Sequence, residues 1–526
     1  MSDVELAYAV GQTVEVTAVD VAQGGWCVAR PEGLPVLFVR HALPGERVRA
    51  RVTEVTSRFA RADAVEVLAP SADRVEPPCP NAHPGRCGGC DWQHASLPAQ
   101  RALKAAVIQQ QLRRVAGLEL DRDITVEALP GDEDGPAEAG LGWRTRVQFA
   151  VRPDGLAGLR AHRSHEVIDI GDCPIAHPAV RDLGLLDYSW EGAGTVEAAV
   201  GSPEPRRAEP GRAEAKNAVA GNAEAGNAEA GNAEPGRGEH WNAEPGNAVD
   251  DAAHAQAAEP GHQDRMVILT KAGRAPRGRR APGAAPGAGG ARRDGGRVAR
   301  GRSGEQAVDL FPQEAVDAVE ADAVLIRTGH RLTPLRGRQY LAQFAAGRYW
   351  QVSAGGFWQV HPAAADALSA AVTEALEPKP GDAALDLYCG AGLFAGVLAP
   401  LVGPDGSVTG IESDAAAVRD ARANLAGYPW AAVHRNDAAL AVAGAGLPPA
   451  RLVVADPPRA GLAREVVDYL TGPSRAERFA YVSCDPATLA RDLGLLIAGG
   501  WRVDGLRAFD AFPMTHHVEL VAALSR

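Results

Sequence analysis

The stretch that decides the fold is LDLYCGAGLF, residues 385–394. A short apolar run ends in a G-x-G turn at Gly390 and Gly392, and an apolar helical pattern follows at once. Glycines at such a turn let the backbone approach a ligand closely. The turn lacks the third glycine of a dinucleotide-binding fingerprint. The stretch therefore predicts the first strand, turn and helix of a ligand-binding α/β domain.

The sequence on either side repeats the alternation of strand and helix over residues 356–526. Four further candidate strands, each followed by a polar turn or a helical pattern, are SVTGIES (407–413), AAVHRND (431–437), RLVVADPP (451–458) and FAYVSCDP (479–486). Strands that alternate with helices predict a doubly wound, Rossmann-like parallel sheet. Ligands of such sheets bind beyond the carboxyl ends of the strands.

Acidic residues lie in or directly after the first three strands. Asp386 belongs to the first, Glu412 ends the second, and Asn436-Asp437 follows the third. A carboxylate about 20 residues past the glycine turn suits the hydroxyls of a ribose. The Asn-Asp pair suits the edge of an adenine. This ordered series resembles S-adenosylmethionine-dependent methyltransferases, with an NAD-binding or purely structural domain as the alternative.

Reactive groups lie at the ends of the later strands. Asp456 and Cys484 follow two adjacent candidate strands, and we expect both in one cleft. A cysteine at the ligand edge is placed as a nucleophile, although many buried cysteines are only packing residues. Glu519 lies in an otherwise apolar final strand, where an acid needs a reason. A general base is one reason, and a solvent-facing edge position is the alternative.

The part of the chain before the α/β domain divides into two regions. Short alternating strands with turn residues between them predict a small β-barrel over residues 1–70. An α+β central domain is expected over 71–355, interrupted by a low-complexity insert at 203–305 that we expect to be disordered. Within the insert, MVILT (266–270) has the pattern of a strand that pairs with TVEAAVG (195–201).

Four of the seven cysteines form a candidate metal site. Cys79, Cys87 and Cys90 are spaced C-x7-C-x2-C, and Cys173 follows in a Cys-Pro pair. Grouped cysteines in a reducing compartment indicate metal binding or catalysis. Four thiolates suit either zinc or an iron–sulfur cluster, and the spacing alone does not choose between them.

Composition limits the partners and the compartment. The formal net charge of −12 excludes a uniformly basic nucleic-acid coat but allows local basic patches, for which Arg144, Arg146, Arg160 and Arg163 are candidates. The chain has no apolar run of membrane-spanning length and no secretory pattern at its start. We therefore expect a cytoplasmic monomer with no membrane partner.

At this point the motifs resemble a known family, the class I RNA uracil-5-methyltransferases, which make 5-methyluridine in rRNA and tRNA. The matching motifs are FWQVHP (357–362), LDLYCGAGLF, GIES (410–413), DPPRAGL (456–462), SCDPATLARDL (483–493) and FPMTHHVELV (512–521). The N-terminal barrel resembles the TRAM domain of many members. The resemblance covers nearly the whole chain except residues 203–305.

The resemblance implies roles for individual residues. It makes Cys484 the nucleophile, which adds to carbon 6 of uracil, and Glu519 the base that removes the proton from carbon 5. It assigns contacts with S-adenosylmethionine to Gln359, Tyr388, Glu412, the Asn436-Asp437 turn and Asp456. Its cluster-bearing members favour a 4Fe-4S cluster on Cys79, Cys87, Cys90 and Cys173, with zinc as the alternative, and favour rRNA over tRNA.

The sequence departs from the family pattern at two positions, and three other functions are alternatives. Leu393 and His361 stand where family members usually have asparagine. An amino-group methyltransferase would have an aromatic residue in place of Arg459. A cytosine-5 enzyme would carry its cysteine after the fourth strand, whereas Cys484 follows the fifth. A non-catalytic RNA-binding protein would need neither Cys484 nor Glu519.

Overall fold

The computed structural model describes residues 8–120, 123–132, 139–202, 263–272, 311–444 and 446–526. The low-complexity insert predicted at 203–305 lies outside the described residues apart from a short segment, 263–272. In the described parts of the chain, no helix has both the length and the apolar character needed to cross a membrane.

The N-terminal region is a closed five-stranded barrel, as predicted. Its strands, in the spatial order β1-β2-β3-β5-β4, are β1 (Thr13–Ala22), β2 (Trp26–Ala29), β3 (Val36–Arg40), β4 (Arg47–Val55) and β5 (Phe59–Ala69). Apolar and polar side chains alternate along β4. Val48, Ala50 and Val52 are buried in the barrel core, while the arginines between them are exposed. Strand β4 therefore supplies one apolar face to the barrel interior.

The central region combines a helix with a seven-stranded sheet. Its elements are α1 (Leu97–Gln111), followed by a π-helical turn (Leu112–Ala116), β6 (Val126–Ala128), β7 (Arg146–Val151), β8 (Ala157–Arg160), β9 (Val167–Ile168), α2 (Pro178–Arg181), β10 (Ala193–Val200), β11 (Arg265–Lys271), α3 (Gln313–Ala318), β12 (Ala323–Thr328), β13 (Arg331–Arg336), β14 (Tyr340–Ala345) and β15 (Arg348–Ser353). The sheet order is β13-β12-β11-β10-β7-β8-β9, and β14 and β15 form a separate two-stranded sheet.

One prediction for this region is confirmed. Strand β11 pairs antiparallel with β10, with Leu269 opposite Val196, so the predicted strand inside the insert exists. The Pro-Asp-Gly turn at 153–155 joins β7 and β8 as a hairpin. The segment 201–264 therefore connects two neighbouring strands of one sheet.

The C-terminal region is the predicted doubly wound domain. Its elements are α4 (Ala364–Leu376), β16 (Ala383–Leu387), α5 (Leu393–Val402), β17 (Ser407–Glu412), α6 (Ala415–Asn424), β18 (Ala431–Arg435), α7 (Ala438–Ala443), β19 (Leu452–Ala455), α8 (Arg464–Thr471), β20 (Arg478–Ser483), α9 (Pro486–Ala498), β21 (Arg502–Asp510) and β22 (Glu519–Ser525). The sheet order is β18-β17-β16-β19-β20-β22-β21-β6.

Strand β6 of the central region completes this sheet. It pairs in parallel with β21, with Val126 opposite Ala508. Ile108 and Leu112, at the end of α1 and in the turn after it, are buried in the same hydrophobic core as β20 and α9. The central and C-terminal regions therefore share one core at this edge.

Candidate functional site

The order of the strands brings the predicted reactive groups to one edge of the sheet. Strands β19 and β20 are parallel neighbours, so Asp456 and Cys484 follow adjacent strands as predicted. Strand β22 runs antiparallel to β20, with Leu520 opposite Ser483. Glu519, the first residue of β22, therefore lies beside the end of β20, which Cys484 directly follows.

Burial dominates the electrostatics of this group. Glu519 is only 5% exposed, and burial, aided by the charge of Asp456, raises its pKa well above the ordinary range. Burial raises the pKa of Asp456 to about 7. It also raises the pKa of the Cys484 thiol to about 11, and the charge of Glu519 acts in the same direction. The mutual effects show that the three acids are close enough to interact.

Arg459 is the one cation that offsets these acids within the described group. Its charge lowers the pKa values of Glu519 and Cys484, and both Arg459 and Cys484 line the same small cavity. One Nη atom of Arg459 lies 3.0 Å from a ring nitrogen of His517. Burial lowers the pKa of His517 to about 3, so the neutral ring accepts this bond. Sequence reasoning noted Arg459 only as a departure from another family and missed His517.

The barrel covers the nucleophile. Cys484 lines a cavity of about 70 Å³ that is also bordered by Gly24, Gly25 and His516. Gln23, in the turn between β1 and β2, donates from Nε2 to Asp485 Oδ2 at 2.8 Å. The sequence alone carried no signal for this contact, because its partners lie in different regions of the chain.

The glycine turn after β16 has the geometry of a cofactor loop. Gly390 N donates to Glu412 Oε2 at 3.0 Å, which places the predicted ribose carboxylate beside the turn. Gly392 has φ +88°, and a Cβ there would lie 3.2 Å from the Ala421 side chain. Tyr388 adopts φ 64°, which is uncommon for a residue with a side chain. The turn therefore brings backbone and carboxylate together at the carboxyl end of β16.

Asp386 is held in the interior beneath this turn. One of its oxygens accepts from Ala395 N at 2.8 Å, at the start of α5, while Oδ1 is buried without a partner among the described residues. Burial raises its pKa well above the ordinary range, and the charges of Asp456 and Glu412 add to the effect. An unpartnered carboxylate oxygen at this place fits a ligand that brings a donor.

A larger cavity lies next to the cofactor loop. It has a volume of about 460 Å³ and is bordered by Tyr388 and Asp437, two of the predicted cofactor contacts, together with Pro458 and Leu462. Asp437 follows β18 and caps α7 by accepting from the backbone N–H of Ala439 at 2.9 Å. The cavity joins the end of β18 to the loop that follows Asp456 and provides space for a nucleoside.

The predicted contact Gln359 is buried in a firmly anchored segment. Next to it, Val360 O accepts from Thr145 N at 2.9 Å, and His361 Nε2 lies 2.8 Å from Asp132 Oδ2. Because His361 Nδ1 accepts from a backbone N–H, Nε2 carries the proton and donates to Asp132. The histidine that replaces the usual asparagine therefore has a structural partner of its own.

The four cysteines of the predicted metal site lie near one another. Burial raises the pKa values of Cys87, Cys90 and Cys173, and electrostatic interactions link these three thiols and Cys79. Among the residues that the structure describes, no three side chains of histidine, cysteine, aspartate or glutamate are placed to hold a metal ion. Cys90 and Cys173 instead pack against the apolar cluster that contains Met514. A metal or cluster on these four cysteines therefore remains a prediction.

One of the four arginines expected to contact RNA has another role. Arg146 pairs with Glu197 and donates to two backbone carbonyls, so it is fully engaged inside the protein. Arg144, Arg160 and Arg163 border a cavity of about 390 Å³. Arg146 differs from the expectation because side chains alternate along β7, and this alternation turns its side chain towards Glu197 on β10.

The sheet order and the loop after β16 define a methyltransferase fold with a TRAM barrel at its N-terminus. Family models match as TRAM domain over residues 9–65, as tRNA (uracil-5-)-methyltransferase over 450–526, and as protein-L-isoaspartate (D-aspartate) O-methyltransferase over 351–438. An RNA methyltransferase of Streptomyces avermitilis is 44% identical over 98% of both chains. The 23S rRNA (uracil(1939)-C(5))-methyltransferase RlmD of Halomonas elongata is 30% identical over 97% of this chain and 89% of its own.

The chain belongs to the RNA (uracil-5-)-methyltransferase family. A solved structure, the tRNA (uracil-54, C5)-methyltransferase of Pyrococcus abyssi in complex with S-adenosyl-L-homocysteine, shares the fold. It aligns with a TM-score of 0.58 and 19% identity over 97% of this chain and 99% of its own. The fold and family expected from the sequence are confirmed.

Proposed function

We propose that this chain transfers a methyl group from S-adenosylmethionine to carbon 5 of a uridine in RNA, with 23S rRNA as the first candidate and tRNA as the second. The choice of 23S rRNA rests on the Halomonas relative. The observation that supports the chemistry most is the convergence of Cys484, Asp456, Glu519 and Arg459 at one edge of the sheet.

The nucleophile has a definite task. Carbon 5 of uracil is too weak a nucleophile to take a methyl group unaided. The Cys484 thiolate adds to carbon 6, and the electron pair of the carbon 5–carbon 6 double bond moves into an enolate that makes carbon 5 nucleophilic. Arg459 assists because a cation beside the thiol favours the thiolate. Bound S-adenosylmethionine supplies an electrophilic methyl group.

Glu519 completes the reaction. After methylation, carbon 5 carries both a methyl group and a proton, and Glu519 takes the proton. The electron pair of that bond restores the carbon 5–carbon 6 double bond and expels the Cys484 thiolate. The buried site suits this role, because a carboxylate whose pKa is raised is a stronger base than an exposed one. Asp456, which directly follows β19, would orient the uracil ring.

The groups that would hold the cofactor are those around the 460 Å³ cavity and the glycine turn. Glu412 would accept from the ribose hydroxyls, Asp437 would contact the adenine, and Tyr388 would pack against it. The free oxygen of Asp386 would accept a donor of the cofactor. Gln359, in its anchored segment, would supply a further polar contact.

Trapping with RNA that contains 5-fluorouridine tests the mechanism. Fluorine at carbon 5 cannot leave as a proton does, so the methylated adduct with Cys484 should persist on a denaturing gel. Cys484→Ala should form no adduct, whereas Cys27→Ala, which removes a buried thiol inside the barrel, should form it normally. No adduct with the unaltered chain, or an adduct with Cys484→Ala, would overturn the proposal in favour of another methyltransferase or a non-catalytic RNA-binding protein.

We also propose that Cys79, Cys87, Cys90 and Cys173 hold a 4Fe-4S cluster. Two observations support this: the donor set has four free thiols, and these thiols interact electrostatically across a gap of about eighty residues in sequence. Anaerobic purification should give a brown protein with iron and sulfide in equal amounts. A colourless preparation with one zinc ion per chain would refute the cluster.

We place the reaction in the cytoplasm and the protein in a monomeric state. RNA binding would use Arg144, Arg160 and Arg163 around their cavity, because the chain as a whole is acidic. Affinity should then fall steeply with salt, and Arg160→Ala should reduce the salt dependence. Size-exclusion chromatography with light scattering checks the monomer.

A further inference from the structure

Asp91 lies where three parts of the protein meet. It directly follows Cys90 in the cysteine-bearing loop and is only 8% exposed. Its Oδ2 accepts from His516 Nδ1 at 2.6 Å, and its Oδ1 lies 3.5 Å from an Nη atom of Arg40 in the barrel. A Cβ on Gly25 would come within 2.7 Å of the Asp91 Cβ, so the barrel turn packs tightly here. One carboxylate therefore contacts the barrel and the catalytic region.

The backbone around Asp91 also holds the loop that leads into β22. The amides of Asp91 and Trp92 both donate to Met514 O at 3.0 Å, and Met514 N donates to Gln100 Oε1 at 2.8 Å. Met514 has φ 68°, a conformation that costs energy for a residue with a Cβ and persists only where surrounding contacts impose it. Glu519 begins β22 five residues later. The position of Glu519 thus depends on the hydrogen bonds that hold Met514.

A continuous series of contacts runs from Asp91 to the nucleophile. The rings of His516 and His517 have centroids 4.0 Å apart. His517 in turn lies 3.0 Å from Arg459, and Arg459 borders the same cavity as Cys484 and acts on the thiol through its charge. The orientation of His516, which Asp91 sets, therefore limits where the Arg459 guanidinium can lie.

We propose that Asp91 is a positioning residue for methyl transfer, which through His516 and His517 holds the guanidinium of Arg459 against the thiol of Cys484. The inference rests on the proposed function, in which Cys484 is the nucleophile. It adds a requirement: the barrel and the cysteine-bearing loop must be docked before the thiol is ready. Assembly of the central region is thereby coupled to the chemistry.

The reactivity of Cys484 towards iodoacetamide, measured against pH, reports on this arrangement. The charged or titratable groups that face the thiol are Arg459 and Asp456 after β19, Glu519 on β22, His516 and His517 in the preceding loop, and Asp485 at the start of α9. In Asp91→Asn, the guanidinium is no longer held in place, so the thiolate loses part of its stabilisation. The midpoint of alkylation should move upward by about 1 pH unit, which is ~10-fold slower reaction below the midpoint.

The experiment compares five full-length chains: the unaltered chain, Asp91→Asn, His516→Ala, His516→Asn and Glu46→Gln. Alkylation of the Cys484 peptide is followed by mass spectrometry, and the rate of adduct formation with 5-fluorouridine RNA is measured at saturating RNA. Asp91→Asn and His516→Ala should slow both reactions ~10-fold at pH 8. His516→Asn should restore most of the rate, because its amide nitrogen can donate to Asp91 from nearly the same place as Nδ1.

Glu46→Gln is the matched control. Glu46, in the turn before β4, is a fully buried carboxylate that pairs with Arg74, and the hydrogen-bond partners of its carboxylate among the described residues, Leu43, Ser71 and Arg74, lie outside the series from Asp91 to Cys484. Its loss should lower stability and leave the alkylation profile unchanged. Asp91→Asn with an unaltered profile and adduct rate would overturn the inference, as would equal effects of His516→Ala and His516→Asn. If the unaltered chain forms no adduct, the proposed function itself fails, which is a separate result.

Discussion

Replacing Asp456 with asparagine should stabilise the protein at pH 8 while it abolishes methyl transfer. Burial raises the Asp456 pKa from 3.8 to about 7, so the folded state binds this proton more tightly than the unfolded state does. The stabilising contribution is therefore complete below about pH 4 and is lost as the pH rises through 7. A difference of about 3 pH units corresponds to an upper bound of about 4 kcal/mol. Partial access of water to the carboxylate reduces our expectation to about 2 kcal/mol.

Thermal melting without cofactor checks this magnitude. At pH 8 Asp456→Asn should melt roughly 5 °C above the unaltered chain, and at pH 4.5 the difference should nearly vanish. Asp405→Asn, which changes an exposed carboxylate in the turn before β17, should show no pH-dependent gain. An equal difference at both pH values, or a lower melting temperature for Asp456→Asn at pH 8, would contradict this reasoning. It would show that burial of the ionised Asp456 carboxylate does not lower the free energy of unfolding.

Three further predictions concern the base, the cation and the core. Glu519→Gln should accumulate a covalent complex with ordinary RNA and S-adenosylmethionine, seen as a retarded band on a denaturing gel, because the carbon 5 proton has no acceptor; normal turnover would contradict the assigned role. Arg459→Met should raise the pKa of Cys484 further and slow its alkylation at pH 8, and faster alkylation would refute the role of the cation. Lys104→Ala should cost about 3–5 kcal/mol in urea unfolding, because the fully buried Lys104 lies 2.5 Å from Asp510, whose charge would be left unpaired; a loss below 1 kcal/mol would contradict that reasoning.

Local patterns were enough to predict the elements of this fold. The period-two alternation of β4 and the apolar run of β16 each specify a strand without reference to distant residues. The strand at Arg265–Lys271 was recognisable even within low-complexity sequence, because its apolar run is long enough to be buried. The addition of β6 to the catalytic sheet was not foreseen, because three residues carry almost no pattern.

The candidate site was predicted to a lesser extent. Cys484 and Asp456 were placed correctly because the ends of neighbouring parallel strands meet at one edge. The contacts that cover and orient them were missed, since Gln23 lies 462 residues from Asp485 in sequence. Pairs this far apart leave no periodic trace in a single chain, and only the assembled structure brings them together. For the predicted metal site the situation is the opposite. The spacing of the cysteines was clear from the sequence, but the binding of a metal or cluster there remains a prediction.

The short strand β6 limits where the chain can be divided into fragments or joined to a relative. A fragment that starts at residue 356 would keep the glycine turn, the nucleophile and the base, yet its sheet would end in the unpaired edge of β21. The same fragment would lose the buried partner of Asp510. Grafting the RNA-reading front half of one relative onto the catalytic half of another should therefore succeed only when the junction lies upstream of α1, so that β6 and Lys104 travel with the sheet they complete.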